Sequence, residues 1–316
     1  MSATTGQGHE PTAPAHPPPG PTVESAPAPR ARRIVTRLRS VLAPRSFDGL
    51  FRMALWTLLL LVVATLLSHL FGLGGDPGST VGRRLTPPGA EAPLGTDNLG
   101  RSLLPRLLQG IGTTLLLSSL AVLTAATIST ALGILAGYRG GRTAETVSRL
   151  SDVLYAFPSI VLAVLVSAVL GPGRSAALAS TVLVTVPLMT RMVATAARAV
   201  ARRDFVVAAR ISGVPPLTLM RRHILTNVSG TIAVQGTYAL SIGILVEGGL
   251  GFLGYGVQLP DASLGLLIQE GSLYLVNAPW LIIAPGTVLV AAIVSINLIG
   301  DSLRDHFEPR ETRALI

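Results

Sequence analysis

Six long apolar runs lie between residues 51 and 300, separated by polar or basic stretches. They cover roughly residues 51–71, 112–137, 154–170, 175–197, 231–252 and 279–300. A helix needs about 20 apolar residues to cross the roughly 30 Å hydrocarbon core of a bilayer, and five of the runs reach that length. The third is shorter and carries Pro158 near its start, but a proline in the first turn of a helix costs little, so this run can still cross. The pattern predicts an all-α membrane protein with six transmembrane helices.

The arginines predict how these helices are oriented. With the amino terminus inside, 19 arginines fall in inside segments, five fall outside, and Arg191 lies within a span, where a substrate contact is the alternative to a side chain that reaches the interface. The five outside are Arg83, Arg84, Arg101, Arg106 and Arg174. Cytoplasmic loops carry an excess of basic residues, so both termini and the loop of residues 204–227 are predicted to be cytoplasmic. Arg191 interrupts the fourth run, and its long side chain is expected to reach the inner interface.

The same pattern divides the chain into five segments. Residues 1–46 are rich in proline and small residues and then in arginine, so they are predicted to be a disordered, basic cytoplasmic tail. The other segments are a first transmembrane helix at 47–72, an extracytoplasmic segment at 73–111, a transmembrane core at 112–300 and a cytoplasmic tail at 301–316. Within the extracytoplasmic segment, an interfacial helix is expected over residues 99–110.

Composition narrows the classes of function. The chain has 49% hydrophobic and 13% charged residues, a net charge of +9, and neither cysteine nor lysine. Without cysteine there is no disulfide or thiolate metal site, and nothing in the sequence predicts a metal or cofactor. The sequence lacks a G-x-x-x-x-G-K-[ST] stretch, so no nucleotide is expected to bind, and it lacks the HExxH and GxSxG motifs of hydrolytic enzymes. The positive charge is attributed to membrane orientation, and no nucleic-acid partner is predicted.

The loop of residues 204–227, DFVVAARISGVPPLTLMRRHILTN, predicts two short helices joined by a turn, and it is called the hairpin below. Gly213 and the two prolines after Val214 end the first helix, because glycine relaxes the backbone and proline cannot continue a helix. The hairpin has an apolar side, which for the first helix comprises Phe205, Val206, Ala209 and Ile211. This side could dock into a groove on a soluble partner, with arginines at the rim. Alternatively, the arginines serve only to set the membrane orientation.

The hairpin resembles the EAA loop of ABC-importer inner-membrane permeases of the dipeptide/oligopeptide/nickel family. The residues that match that motif are Ala208, Ala209, Arg210, Gly213, His223, Ile224, Leu225 and Asn227. Val207 stands where the family has the glutamate that names the loop, and Thr226 replaces its proline. Further matches occur at PLGTDNLGRSLLPRLLQG, RLSDVLYAFPSI, ILVEGGLGFLGYGVQLP and NLIGDSLRDHFEPR, so the resemblance extends over roughly residues 93–310.

This resemblance implies a permease subunit in the bacterial cytoplasmic membrane, surrounded by lipid. It implies a homologous permease that completes a heterodimer, two ABC ATPase subunits and an extracytoplasmic binding protein. Short peptides are the expected cargo, although nickel chelates, opines, glutathione and haem pass through relatives. The expected ATPase-coupling residues are Ala208, Ala209, Arg210, Gly213, Val214, Leu217, Arg221, Arg222 and His223. With Val207, an ion pair from the loop glutamate to the ATPase is unavailable.

Glu247 lies within the fifth apolar run, where an ionised carboxylate is costly and needs a partner. It is expected to contact the translocation pathway or the partner permease, or else to form a hydrogen bond within the fold. Gly248, Gly251 and Gly254, with Gly243, leave room for two permeases to approach, or simply end the helix. A different class of function also remains open, a proton-coupled secondary transporter that uses Glu247 as its proton carrier.

Asp97, Asn98 and Arg101 precede the second run on the predicted outer side. The resemblance places them near the pathway mouth and the binding protein. Alternatively, Asp97 or Asn98 caps the short helix expected over residues 99–110. At the inner end of the last run, Asp301 and Arg304 are three residues apart, which predicts a local ion pair.

Overall fold

The computed structural model describes residues 49–72 and 75–307, and in these residues the only regular secondary structure is helical. The all-α prediction is therefore confirmed for this part of the chain, whereas the predicted tail 1–46 lies outside the described residues. The helices are α1 (Gly49–Phe71), α2 (Leu103–Arg139), α3 (Gly141–Tyr155), α4 (Ser159–Leu170), α5 (Arg174–Ala201), α6 (Asp204–Ile211), α7 (Pro216–Thr218), a π-helical segment (Leu219–Ile224), α8 (Leu225–Phe252), α9 (Leu264–Ser272) and α10 (Trp280–Phe307).

Five of these elements are long and apolar enough to cross a membrane, or six if a bent pair counts as one span. The bent pair is α3 and α4, whose axes differ by 88° across the break between them. The 12 residues of α4 extend only about 18 Å, well short of the hydrocarbon core. Residues 154–170 therefore do not form one continuous helix, and the predicted third crossing is present only if the bent pair counts as one span. Pro158 lies just before α4, and Phe157 is disfavoured from helical geometry because it precedes a proline.

The second membrane helix begins earlier than the apolar pattern suggested. A single helix of 37 residues, α2, runs from Leu103 to Arg139 and extends about 55 Å. The separate interfacial helix expected over residues 99–110 is therefore absent, and most of that stretch forms the first turns of α2. The hydropathy pattern suggested a boundary because Arg106 and Gln109 interrupt the apolar run. Arg106 is nevertheless buried and paired, so the helix continues through it.

The pair α2 and α5 forms the centre of the fold, and glycines let their backbones approach closely. A Cβ atom added to Gly133 would lie 2.8 Å from Cβ of Val193 and 3.0 Å from the backbone nitrogen of Ala194. Small residues at such crossings are typical of membrane helices, whose association depends on close packing. α8 packs against α2, α5 and α10. α1 lies against α10 and α2 and buries only Ala54 of its own residues, so most of its apolar surface is left to lipid.

Replacing Gly133 with alanine should destabilise the protein, because the new methyl group forces α2 away from α5. Overpacking of this kind costs about 1–3 kcal/mol. The matched control is Gly236→Ala in α8, where an added Cβ meets no atom within 4 Å. Both changes bring the same intrinsic gain in helix propensity. Thermal unfolding of the detergent-solubilised protein should therefore show a lower midpoint for Gly133→Ala than for Gly236→Ala, and equal midpoints would contradict the close packing.

Candidate functional site

The hairpin is present in the predicted form, but its second arm continues into a membrane helix. α6 ends at Ile211, Gly213 adopts a left-handed φ of 78°, and Pro216 begins α7. From there the chain passes through the π-helical segment into α8 without a break. The left-handed turn explains the need for glycine at this position, since side chains with a Cβ rarely adopt it. Any displacement of the hairpin is thus applied directly to the start of α8.

One side of the hairpin faces the protein's own interior. Val206, Leu219 and Ile224 are fully buried and belong to the same hydrophobic cluster as Val193 of α5 and Ile134 of α2. Val206 was expected on a side that docks a partner, and for this residue the expectation is wrong. The apolar contacts it makes are with its own chain, which fixes the hairpin to the inner ends of the central helix pair.

The other side of the hairpin is exposed and remains apolar. Ile211 is 81% exposed and Leu217 is 61% exposed, and Phe205 and Val207 of α6 are also exposed. These four residues are called the outer face below. Of the predicted coupling residues, the exposed ones are Ala208, Arg210, Gly213, Leu217, Arg221 and Arg222, and the half-buried ones are Ala209, Val214 and His223. The hairpin therefore offers an apolar surface flanked by arginines.

At the opposite end of α2, a buried ionic network surrounds Asp97. One carboxylate oxygen of Asp97 accepts hydrogen bonds from the backbone N–H groups of Leu99 and Arg101, at 2.8 and 2.9 Å. The other accepts from Nε of Arg101 at 2.7 Å and from Nη1 of Arg106 at 2.9 Å. Asp97 thus orders the loop before α2 and does not cap a helix at residue 99. The residue that precedes the first turn of α2 is Ser102, whose side chain makes no capping hydrogen bond.

The network also reaches α9, because Nη1 of Arg106 donates to Glu270 at 2.7 Å. Arg106 is 1% exposed, and two arginines and two carboxylates balance each other in charge. Asp97 and Arg101 are buried here and Asn98 is half-buried. Asp97 and Arg101 therefore hold the outer loop to α2 and α9 and do not present their side chains to a partner. A position near a binding protein remains a prediction for this segment.

Glu247 lies inside the fold, at a junction of three helices. Its carboxylate accepts a hydrogen bond from the hydroxyl of Thr114 on α2 at 2.8 Å. The same hydroxyl accepts from the backbone N–H of Leu264, the first residue of α9, at 3.1 Å. Glu247 is 1% exposed, so its place in this structure matches the alternative of a hydrogen bond within the fold. A pathway contact in the complete assembly stays a prediction.

The glycines near Glu247 serve contacts within the chain. A Cβ added to Gly251 would lie 3.0 Å from Cα of Gly265, and one on Gly265 would meet the backbone of Gly248. Gly243 faces Thr181 and Val122 from α5 and α2, and Gly254 follows the end of α8 with a φ of 81°. In this structure the glycines let α8 and α9 of the same chain approach closely. The pairing of two permeases through these glycines stays a prediction.

Sequence reasoning missed Thr114, Arg106, Glu270 and Gly265 as parts of these sites. Arg106 and Glu270 each interrupt an otherwise apolar stretch, and a buried charge in such a place needs a partner of opposite sign. That signal was available, but the partners are 164 residues apart in sequence. At the inner end, Asp301 accepts a hydrogen bond from the hydroxyl of Tyr238 at 2.6 Å, and its pairing with Arg304 stays a prediction.

Residues 129–313 match the family described as Binding-protein-dependent transport system inner membrane component. A putative peptide transport system permease protein of Brucella suis is 36% identical over 278 residues, which cover 88% of this chain and 92% of the relative. A di/tripeptide transport system permease protein of Pseudomonas aeruginosa is 37% identical over 232 residues, which cover 72% of this chain and 77% of the relative.

A solved structure supports the fold. A chain of the MetNI methionine ABC transporter in an inward-facing conformation superimposes with a TM-score of 0.53 at 20% sequence identity. The superposition covers 65% of this chain and 98% of that one. At this level of identity the similarity concerns the arrangement of helices alone.

Glu247→Gln should leave stability and transport nearly unchanged, because an amide oxygen can still accept the hydrogen bond from Thr114. Glu247→Leu should lower the free energy of unfolding by about 1–3 kcal/mol, since the buried polar groups around it lose a partner. Thermal unfolding and uptake into reconstituted vesicles measure the two effects, with Glu91→Gln in the exposed loop before α2 as a control. Loss of uptake in Glu247→Gln at unchanged stability would instead favour a proton carrier.

Arg106→Met should be strongly destabilising, because it leaves the buried carboxylate of Asp97 and the half-buried carboxylate of Glu270 with only Arg101 near them. Breaking a buried pair costs about 3–5 kcal/mol. The control is Arg149→Met, which removes an exposed pair with Glu145 worth about 0–1 kcal/mol. Similar unfolding midpoints for the two variants would show that the network contributes little.

Proposed function

The chain belongs to the family of binding-protein-dependent transport system inner membrane components, and on that basis we propose that it forms half of the pathway of an ATP-driven importer of short peptides. The resemblance to ABC-importer permeases, drawn from the hairpin and the accompanying motifs, is confirmed by the family match and the curated relatives. The observation that carries the proposal is the hairpin itself, which is anchored on one side and has an exposed apolar face on the other.

Short peptides are the proposed cargo because both relatives described above are named for peptide transport. Within the described residues, no group of three or more histidine or acidic side chains is arranged to hold a metal ion.

The proposed assembly places this permease beside a homologous one, with two ATPase subunits on the inner side and a binding protein on the outer side. The absence of lysine and of a phosphate-binding loop in the sequence means that the energy comes from another subunit. The proposed orientation has both termini and the hairpin in the cytoplasm, since 19 arginines then lie inside and five outside. In this arrangement the bent pair α3 and α4 together forms the sixth membrane element.

The hairpin couples the ATPases to the membrane helices through its two sides. Its outer face docks into an ATPase groove, with Ile211 and Leu217 as the apolar anchors. Its inner side is packed into the helix bundle, so movement of a docked ATPase is transmitted as a rigid-body shift. Val207 contributes apolar area to the outer face where the related loops carry a glutamate, and the docking here is therefore more apolar.

A proton-coupled secondary transporter is the second candidate, and it rests on Glu247. The hydrogen bond from Thr114 and the junction with α9 supply a structural reason for this carboxylate without proton transfer. The two candidates are separated by uptake measured at constant ATP in the presence of an uncoupler. The importer should continue to accumulate peptide, whereas a proton-coupled transporter should stop.

The double variant Ile211→Glu, Leu217→Glu should abolish ATPase co-purification while membrane insertion stays intact. Both side chains point away from the bundle, so the fold has no reason to change. Carboxylates forced into an apolar groove without partners cost several kcal/mol, so the affinity should fall by at least roughly a hundredfold. Pull-down of the ATPases from solubilised membranes measures the effect.

The matched control is Leu275→Glu, Val276→Glu, which adds the same charges to exposed apolar positions in the loop between α9 and α10. This pair is on the predicted outer side and should leave ATPase binding unchanged. Normal co-purification of the hairpin variant, with peptide uptake at the original rate, would refute docking through the outer face.

A further inference from the structure

A cleft of about 630 Å³ opens beside the hairpin, bounded by the end of α2, by α3, by the end of α5 and by α6. We propose that this cleft, called the basic cleft below, receives an acidic segment of the ATPase partner. The inference rests on the proposed function and extends it, because it names a second contact and the chemistry of the partner surface that fills it. The outer face explains apolar docking but leaves the arginines of the cleft without a role.

The basic cleft carries an excess of positive charge. Four arginines line it, and they are Arg149, Arg198, Arg202 and Arg210. The one carboxylate in its lining, Glu145, is paired with Arg149 at 2.5 Å. In the part of the chain that the structure describes, no carboxylate lies within 4.0 Å of the guanidinium groups of Arg198, Arg202 or Arg210. Three of the four arginines that line this concave surface thus have no carboxylate partner among the described residues.

Arg210 is already held in position. Its guanidinium carbon lies 5.0 Å from the centre of the Tyr138 ring, a cation–π arrangement that restricts the side chain. A planar guanidinium that is fixed in this way can meet a carboxylate with two parallel hydrogen bonds at little further loss of conformational freedom. The cleft is therefore partly organised for a carboxylate before any partner arrives.

The orientation of α3 favours a protein partner over the bilayer as the occupant. Glu145, Ser148 and Arg149 share the polar flank of α3 that lines the cleft. Leu150 and Val153, both 60% exposed, lie on a different flank of the same helix. An amphipathic helix at a membrane surface turns its apolar flank toward the lipid, so the polar flank and the cleft face the aqueous side.

The basic cleft is continuous with the outer face of the hairpin. Arg210 lines the cleft and is followed directly in α6 by Ile211, the most exposed residue of the outer face. A partner seated on Ile211 and Leu217 therefore brings its rim next to the cleft. Electrostatic complementarity at such a rim sets the rate and specificity of association, and it weakens as salt screens the charges.

The test compares two double variants of the full permease pair reconstituted in nanodiscs. Arg198→Gln, Arg202→Gln removes two charges from the cleft, and Arg139→Gln, Arg142→Gln removes two from residues near it that do not line it. ATPase affinity is measured over a series of salt concentrations. The cleft variant should bind roughly tenfold more weakly at low salt and should show a flatter salt dependence, since the charge-assisted contacts are lost. The control should stay within about twofold of the unmodified protein.

Equal affinity and equal salt dependence for the cleft variant and the unmodified protein would overturn this inference alone, provided that the Ile211→Glu, Leu217→Glu variant still loses ATPase binding. If the cleft variant differs only in nanodiscs that contain anionic lipid, a lipid phosphate occupies the cleft and the inference is wrong. If the unmodified permease pair fails to bind the ATPases at all, the proposed function fails together with it.

Discussion

Val206, Leu219 and Ile224 are buried against the C-terminal ends of α2 and α5, and any transmission of movement through the hairpin depends on this packing. A loop tethered only at its ends would absorb a displacement, since few contacts would resist its movement. Burial of these three side chains prevents that response and joins the hairpin to the central helix pair. Because the π-helical segment continues into α8, the same packing also connects the hairpin to the helix that carries Glu247.

The predicted outer side of the molecule depends on a different kind of interaction. Asp97, Arg106 and Glu270 join the loop before α2 to α9, and Thr114 joins α2 to Glu247 of α8. An apolar solvent makes isolated charges expensive, and each of these side chains has a partner within the protein, although Nη2 of Arg106 and Oε1 of Glu247 are buried without a hydrogen-bond partner among the described residues. The pairing holds the short helix α9, which is too short to cross the bilayer, firmly against two long ones. The end of α2 near the hairpin is held by apolar packing, and at its other end the ionic and hydrogen-bonded contacts add to an apolar cluster that includes Leu103, Leu267 and Leu281.

Glycine governs how closely the long helices approach. Because Gly133 has no side chain, α5 can approach the backbone of α2 closely. Gly251 lets α9 approach the backbone of α8 in the same way. Helices in lipid gain little from burying apolar side chains, so close backbone contact becomes the main source of their association. The same residue type has a different use at Gly213, where a left-handed φ reverses the chain between the two arms of the hairpin. Glycine is needed at this position for its backbone conformation and not for close packing, since an added Cβ would meet no atom within 4 Å.

The sequence alone determined the helical class, most of the membrane segments and the existence of the hairpin, because apolar run length and turn residues are local properties of the chain. It also predicted the turn at Gly213, where the structure has a left-handed φ, whereas the role of the coupling residues stays a prediction. It could not decide which side of the hairpin faces inward, since Phe205, Val206 and Ile211 are all apolar and only the position of α5 distinguishes them. It could not pair Arg106 with Glu270, or place Gly265 against Gly251, because those contacts join residues that are distant in sequence. The sequence predicted one helix through Pro158, whereas α4 begins just after it, and the sequence could not show the 88° bend between α3 and α4, because the direction of α3 depends on its packing against α2 and α5.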